Sequence, residues 1–567
     1  MPALKEKSLR RFSRLDWLLL GIILLQFFMI CFVNLTQLRH LTGYDSSASY
    51  YLTRKMWEQK SLFPSGFEHM RTYGWTSPVI PAFFLTYLTR DVFLSTGIAN
   101  ILFVLILIGS FTLLLRELKF TKTFVFLGII FLLTPYAASY ATNNALDYFS
   151  MTCINYCPYT SRLIFLALIA TTYLRLFNHE KKPFTWLGVS VSLVLSFLMG
   201  MCAGISILLL IVTPFLLHAV VCAIQSRKLS VLKSASSIYT YALTASLLCG
   251  TLFASHVMHF ASRSESITWV SADQFFENLH GVAGSYFALT SALPFRSEVP
   301  VASKMGIAFG VMLCISLFFL AASILTIRQA LKNKDFKAPL MPLVFLVFVD
   351  LLIFLFADLR LSTSLTESRY LIPVLVVFFI LSCDYLRVHF TERKSTLKKA
   401  GLPLLILAFL FSNALSYYSL FHHRLDERKY EQIDSIVSAT GTKLVYAYGE
   451  ETDVDFRILR VMDPDHTYHL ISEDVSYVET FTDSTELLTA EDYPLGVCLL
   501  TTKESFERLP LAVYSLFYEV GSTDEYTIYY SSSNPFSQTY LSNPDKTYSP
   551  DIHVIDENSP VTGRVSS

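Results

Sequence analysis

The feature that most constrains this 567-residue chain is a series of apolar runs near 20 residues long, separated by short clusters of Lys and Arg. A run of this length crosses a hydrocarbon core of roughly 30 Å as an α-helix. Hydrophobic residues make up 53% of the sequence. We therefore predict a polytopic α-helical membrane protein of about 11 to 13 transmembrane helices. The runs lie near 16–36, 94–115, 123–142, 160–178, 184–223 (which turns back at MGMCAG), 237–259, 304–327, 338–357, 370–386 and 401–420.

Basic clusters orient these spans. Five basic residues stand between positions 5 and 14, before the first run, so the positive-inside rule predicts a cytoplasmic N-terminus. The segment SPVIPAFFLTYLT (77–89) is too short to cross comfortably and holds two prolines, which favours a re-entrant or surface-lying helix. If the segment 77–89 does not cross the membrane, every strongly basic connector between spans falls on the cytoplasmic side. The outer face then carries 43–75, 143–159, 260–303, 358–369 and everything after the last span.

The charge balance changes abruptly at the end of the last run. From position 425 onward there are 26 acidic and 9 basic side chains, a net charge of −17, although the whole chain is neutral. Apolar, β-rich runs such as KLVYAYG, YHLIS, GVCLLTT and YTIYYS alternate there with helical patterns. We predict a membrane domain over 1–424 with a first outer loop at 37–93, an extracytoplasmic α/β domain over 425–530, and a flexible polar tail over 531–567. The α/β domain contains neither a Gly-rich phosphate loop nor a catalytic-triad signature.

Asp350 stands inside the span FLVFVDLLIFLF, where an ionisable group is costly. Such a residue either marks a proton or substrate pathway or makes an internal hydrogen bond. Because it is the only carboxylate in that run, we expect the hydrogen bond.

Cysteine spacing gives little support for a metal or disulfide framework. Six of the nine cysteines lie in or beside apolar runs, where cysteine behaves as a small hydrophobe. Cys153 and Cys157 lie near a predicted outer surface, but a CxxxC spacing with no nearby His is a weak signal for metal binding or pairing.

The first outer loop, GYDSSASYYLTRKMWEQKSLFPSGFEHMRTYGW, concentrates charge beside the membrane. Asp45 is followed by a helical pattern that carries Arg54 and Lys55, and Arg71 comes later in the loop. The spacing predicts an amphipathic helix at the membrane surface. Asp45 then has two possible roles, an N-cap for this helix or a functional carboxylate, and the cations either anchor the loop at lipid headgroups or bind an anionic ligand.

This arrangement resembles the GT-C class of membrane glycosyltransferases, which use polyprenyl-phosphate-linked sugars. In that class an N-in first span leads into a long outer loop with an essential acidic residue near its beginning, where this sequence has Asp45. Two further segments match: TNNALDYFSMTCINY carries Asp147 in the second outer loop, and TESRYLIPVL contains an Arg-Tyr-x-x-Pro entry to a late span with Arg369 and Tyr370. The resemblance covers roughly 1–420. Unlike protein mannosyltransferases, the chain has no second carboxylate beside Asp45, which disfavours protein mannosylation.

The resemblance implies roles for these residues. Asp45 would be the catalytic base, and Asp147 would position the acceptor, hold a divalent cation together with Asp45, or simply cap its loop. The donor phosphate would be bound by cations and one tyrosine, although Tyr370 also fits an interfacial aromatic belt. The candidate phosphate-binding residues are Arg369, Arg71, Arg54, Lys55 and Tyr370.

The implied function is an inverting glycosyltransferase of the bacterial cell-surface glycan type, in the cell membrane. Its expected partners are a polyprenyl-phosphate-linked sugar donor, a cell-surface glycan or glycolipid acceptor, and the lipid bilayer, with no nucleic acid. The alternative from another class is a polytopic transporter or a lipid or glycan flippase. A transporter predicts paired, interrupted half-spans and several intramembrane charges, and the sequence shows neither clearly.

Overall fold

The computed structural model describes residues 12–64, 74–136, 148–154, 159–178, 185–258, 268–293, 299–357, 365–391, 396–422, 427–449, 452–471, 478–479, 496–534, 536–539 and 551–554. The part before position 427 is helical. Its α-helices are α1 (Arg14–Thr36), α2 (Tyr44–Gln59), α3 (Val79–Thr89), α4 (Val92–Glu117), α5 (Lys122–Leu133), α6 (Tyr148–Thr152), α7 (Thr160–Phe177), α8 (Thr185–Ala203), α9 (Ile205–Ile207), α10 (Thr213–Ser226), α11 (Ala235–His256), α12 (Ala272–Leu289), α13 (Lys304–Lys332), α14 (Met341–Phe356), α15 (Ile372–Thr391) and α16 (Thr396–His422). A π-helical segment (Leu208–Val212) precedes α10, and 3₁₀ segments occupy Arg39–Leu41, Leu229–Lys233 and Leu365–Leu371.

Among the described residues, eight helices are long and apolar enough to cross a membrane. They are α1, α4, α7, α8, the π-helical segment with α10, α11, α13, and α15 with the residues just before it. Helices α5 and α14 and much of α16 are apolar but shorter. Each apolar run predicted from the sequence therefore contains either a long or a short apolar helix. The chain is a multi-pass, α-helical membrane protein, as predicted. Helix α3 has 11 residues and is the short helix expected at 77–89.

Basic connectors meet at one end of the bundle. Thr123, at the start of α5, donates to Asp16 at the start of α1 with a 2.6 Å separation. The ends of α4 and α7 are joined by an ion pair between Glu117 and Arg175, 2.8 Å apart. At the opposite end of α1, Arg39 lies 3.2 Å from Glu427, the first residue of the next domain. The basic connectors and the acidic domain therefore lie at opposite ends of α1.

Helix α12 was not expected, because it occupies the predicted outer segment 260–303. At its beginning, the amide of Asn278 donates to the carbonyls of Leu355 (3.3 Å) and Ala357 (3.2 Å), at the end of α14. Near its end, the hydroxyl of Tyr286 donates to the carbonyl of Ser316 at 2.7 Å, about 18 Å along α13 from its start. The helix therefore enters the bundle rather than covering it.

The part after position 427 is an α/β domain, as predicted. It contains α17 (Glu427–Thr440), β1 (Leu444–Tyr448), α18 (Asp453–Met462), β2 (Thr467–Ile471), β3 (Val478–Glu479), β4 (Val497–Thr501), α19 (Lys503–Glu507), α20 (Leu511–Tyr514), β5 (Tyr518–Ser522) and β6 (Thr527–Ser531). The sheet order is β3-β2-β1-β4-β6-β5. Strand β1 is parallel to β2 and β4, while the outer pairs are antiparallel. Every residue of β1 is buried, because apolar clusters cover both faces of the sheet.

The segment predicted as a flexible tail contains secondary structure. Strands β7 (Phe536–Thr539) and β8 (Asp551–Val554) pair in an antiparallel, two-stranded sheet. The prediction of a tail rested on composition, because the segment is rich in Pro and Ser. Composition does not reveal that two strands some ten residues apart pair with each other.

Candidate functional site

The candidate site begins where α1 ends. A 3₁₀ turn follows the first span, and Gly43 occupies the N-cap position of α2 in an extended conformation. The hydroxyl of Ser46 accepts a hydrogen bond from the amide of Gly43 at 2.9 Å, which ties down the first turn. Asp45 is therefore the second helical residue rather than the N-cap. A carboxylate in this turn is favoured by the helix dipole. The side chain of Asp45 lies outside the described part of the chain.

Helix α2 is more buried than a surface helix would be. All residues from 46 to 53 are buried, around the full circumference of the helix. Leu52 and Met56 pack against α3, while Tyr51 packs with Val461 of the α/β domain. The sequence predicted an amphipathic helix with one side in water. In the structure the α/β domain covers that side of α2.

Arg54 joins α2 to the α/β domain. Its guanidinium donates to the backbone carbonyls of Arg460 (3.2 Å) and Pro464 (3.1 Å) and pairs with Glu58 at 2.8 Å. In return, the guanidinium of Arg460 stacks on the ring of Tyr51, 4.0 Å from its centroid. These partners occupy the Arg54 guanidinium, which in this structure serves the contact between α2 and the α/β domain rather than a phosphate.

Replacing Arg54 by alanine should loosen this contact between the domains. Loss of two charge-assisted hydrogen bonds at a half-buried position should cost roughly 1 to 2 kcal/mol, so amides of α18 should exchange with deuterium about 5 to 30 times faster. Hydrogen exchange on the full-length protein in detergent measures this rate. Lys332→Ala is the control, since Lys332 is an exposed cation at the end of α13. Equal exchange in both variants would contradict the assignment.

Arg369 and Tyr370 stand at the entrance to α15, in the 3₁₀ segment Leu365–Leu371. Both side chains are partly buried, and the Arg369 guanidinium lies 5.9 Å from the centroid of the Tyr370 ring. Tyr370 packs against the main hydrophobic core, and the 3₁₀ segment packs against α12. The bundle thus fixes the backbone of this segment, and the Arg369 side chain above it is only partly buried.

Two predicted site residues, Asp147 and Arg71, lie outside the described residues. The chain directly after Asp147 is anchored at two points. The hydroxyl of Tyr148 donates to the carbonyl of Leu132 at 2.9 Å. The side-chain amide of Asn34 donates to the carbonyl of Cys153 at 2.9 Å. Cys153 is buried, and Cys157 lies outside the described residues.

Asn34 is a positioning residue that the sequence pattern did not reveal. The amide nitrogen of Asn34 donates to Cys153, and its side-chain oxygen accepts a hydrogen bond from Asn100 of α4 at 2.9 Å. Gly97 lets α4 approach this point, since a Cβ there would lie 1.9 Å from the Asn34 carbonyl oxygen. The C-terminal end of α1 therefore holds both the start of the segment that follows Asp147 and, through the turn at Gly43, the helix that carries Asp45.

One group of side chains in the α/β domain has the composition of a metal site. Ligand atoms of Asp434, Asp463 and His466 lie within 4.8 Å of one another. However, the ring of His466 and the carboxylate of Asp463 are hydrogen-bonded at 2.7 Å, and Tyr468 donates to the same carboxylate at 2.6 Å. These atoms already satisfy one another, so the described geometry is that of a buried hydrogen-bond network.

This network makes the stability of the α/β domain depend on pH. The hydrogen bond to Asp463 raises the pKa of His466, and the network lowers the pKa of Asp463 although burial alone would raise it. The His466 contribution is therefore complete below pH ~6.5, the usual histidine pKa, and is lost as the pH rises through the raised value. His466→Gln should lower stability by about 1 kcal/mol at pH 6 and by less at pH 8. Thermal melting at both pH values checks this, and an equal loss at both would contradict it.

Comparison with solved structures gives the fold a counterpart. The chain is similar to the crystal structure of ArnT from Cupriavidus metallidurans in the apo state, with a TM-score of 0.51 and 10% identity over 92% of this chain and 99% of that chain. It also matches two crystal structures of the Archaeoglobus fulgidus oligosaccharyltransferase. One is tethered with an acceptor peptide (TM-score 0.47, 13% identity, 96% of this chain and 75% of that chain). The other is a complex with Zn and sulfate (TM-score 0.45, 12% identity, 90% and 73%).

The likeness to ArnT, a GT-C glycosyltransferase, shows that this chain has the GT-C type of fold, as the sequence predicted. At 10% identity it establishes the fold and leaves the activity to be argued from the site. No protein-family model and no curated protein sequence matches the chain.

Proposed function

We propose that this protein is an inverting membrane glycosyltransferase. It would move a monosaccharide from a polyprenyl-phosphate donor to a hydroxyl of a cell-surface glycan or glycolipid. The observation that carries the proposal is the GT-C type of fold along nearly the whole chain, in which α2 starts directly after the first span and holds Asp45 in its first turn. Function on this fold depends on local chemistry, so the residues of that turn and of the entrance to α15 are the ones to test.

In the proposed reaction, the Asp45 carboxylate takes the proton of the acceptor hydroxyl as that oxygen forms a bond to the anomeric carbon of the sugar. The bond between the anomeric carbon and the donor phosphate oxygen breaks, and polyprenyl phosphate leaves with the electron pair. Attack from the face opposite the leaving group inverts the anomeric configuration.

The departing phosphate gains negative charge, which cations near the membrane surface would stabilise. Arg369 is our principal candidate, together with Arg71, Lys55 and the hydroxyl of Tyr370. Asp147 would orient the acceptor, or hold a divalent cation jointly with Asp45. A chelator separates these two roles for Asp147, because only the second makes transfer depend on added Mg²⁺ or Mn²⁺.

The proposed topology places this chemistry outside the cell. The basic connectors would be cytoplasmic by the positive-inside rule, which puts the start of α2, the entrance to α15 and the α/β domain on the outer side. Since α2 contacts both the bundle and the α/β domain, a change in that domain upon binding an acceptor would reach the helix that carries Asp45.

Sugar transfer by the purified full-length protein tests the proposal. The protein in liposomes is incubated with polyprenyl-phosphate-linked pentoses and hexoses, and with surface glycolipid extracted from a host strain that lacks the gene. We expect loss of the donor and a mass increase of one sugar in the acceptor, with inverted anomeric configuration by NMR. Movement of lipid-linked glycan across the bilayer without any change in its mass would instead favour the transporter or flippase alternative.

A further inference from the structure

Asp350, in the middle of α14, is fully buried. Neither of its carboxylate oxygens has a hydrogen-bond partner within the described part of the chain. The internal hydrogen bond expected from the sequence is therefore wrong for the described residues. An ionised carboxylate without a partner costs several kcal/mol in such surroundings, so something must neutralise it.

A second polar group without a hydrogen-bond partner among the described residues lies on the neighbouring helix α12. Asn278 of α12 contacts the end of α14, and Tyr286, eight residues later, contacts the middle of α13, so α12 runs from the end of α14 into the bundle. From the contact between Asn278 and Ala357, seven residues along α12 lead to Ser285 and seven residues back along α14 lead to Asp350, each about 10 Å away. Residues seven apart share one face of a helix. The hydroxyl of Ser285 is fully buried and, like Asp350, has no partner among the described residues.

The other elements packed against α14 place their charged groups elsewhere. Helix α14 contacts α10, the π-helical segment before it, α12 and α15. His218 of α10 is bonded to the carbonyl of Phe336 at 2.7 Å, beyond the beginning of α14. Asp384 of α15 pairs with Arg387 at 2.6 Å near the end of that helix. The charged or titratable residues of α12 are the exposed Asp273, Glu277 and His280, and Tyr286, whose hydroxyl binds α13.

We infer that α12 and α14 enclose a small cation site, in which the Asp350 carboxyl and the Ser285 hydroxyl take up one monovalent cation, either a proton or Na⁺. Either ion neutralises the carboxylate, and the Ser285 oxygen supplies a further ligand or hydrogen-bond acceptor. The π-helical segment contributes a widened turn against the same helix, and such irregular turns often occur at functional sites. This site is independent of the proposed sugar transfer.

Thermal melting of the full-length protein tests the site. The protein in detergent is melted in NaCl and in choline chloride at equal ionic strength, and then in choline chloride at pH 6, 7 and 8. A Na⁺ site predicts that the wild-type melting temperature rises by several degrees with Na⁺. A proton site predicts no Na⁺ effect but a melting temperature that falls with rising pH by more than the His466 network contributes. Asp350→Asn should abolish a Na⁺ response, or should reduce the pH response to the part that depends on His466.

Two further variants keep the test decisive. Ser285→Ala retains the carboxylate but removes a ligand, so it should weaken the response even if Asp350→Asn does not fold. Ser316→Ala is the matched control, because the hydroxyl of Ser316 already has hydrogen-bonding partners in the Thr290 hydroxyl (2.6 Å) and the Met312 carbonyl (2.8 Å), and the variant should respond as the wild type does. Na⁺ and pH responses that are the same in the wild type, Asp350→Asn and Ser285→Ala would overturn the inference.

Discussion

Replacing Asp45 by asparagine should reduce sugar transfer by about 10² to 10⁴-fold, the usual contribution of a general base. Asparagine has nearly the same shape, but its neutral amide cannot take the proton of the acceptor hydroxyl. We expect kcat to fall while the KM for the lipid-linked donor changes little, because the carboxylate acts on the acceptor hydroxyl. Transfer by equal amounts of purified protein measures both constants.

The chain offers a matched control for this substitution in the same predicted outer loop. Asp91 is the N-cap of α4, and its side chain accepts hydrogen bonds from the amides of Phe93 (2.8 Å) and Leu94 (3.1 Å). Asp91→Asn removes a carboxylate with a capping role, so it should cost at most about 1 kcal/mol of stability and leave transfer near the wild-type rate. Unchanged transfer in Asp45→Asn, or equal losses in both variants, would remove Asp45 from the role of base.

Architecture was predictable from the sequence because it follows from simple, repeated constraints. Helix length against bilayer thickness placed the helices, and the alternation of β-rich runs with helical patterns identified the α/β domain. The sequence also predicted that α2 starts soon after the first span and that Arg369 stands at the entrance to α15, since both depend on a few neighbouring residues.

Interactions between distant parts of the chain were not predictable in this way. Arg54 was expected at lipid headgroups or a phosphate, and nothing local indicates that carbonyls 406 and 410 positions later accept its hydrogen bonds. Asn34 lies within an apolar run, so its hydrogen bonds to Cys153 and Asn100 were hidden by the hydropathy of its neighbours. Asp350 was visible as an anomaly, but only the packed structure reveals that its oxygens lack partners among the described residues.

Replacing Arg369 by glutamine should lower kcat/KM for the donor by roughly 10² or more, because one guanidinium would no longer stabilise the phosphate as it leaves. The substitution Arg369→Lys distinguishes binding of the donor phosphate from anchoring at lipid headgroups. Arg binds a phosphate through a planar, two-pronged fork, whereas Lys supplies only a point charge. If Arg369 binds the donor, Arg369→Lys should recover only part of the activity; if it merely anchors the chain at lipid headgroups, lysine should restore it completely.

Arg162 provides the control for these measurements. It is a partly buried arginine near the start of α7, on the same proposed outer side, and its guanidinium lies 4.4 Å from the centroid of the Tyr159 ring. Arg162→Gln removes the same charge without touching the entrance to α15, so donor KM should stay near the wild-type value. If Arg162→Gln and Arg369→Gln reduce transfer equally, the general positive charge of the outer face attracts the donor, and Arg369 has no specific contact with its phosphate.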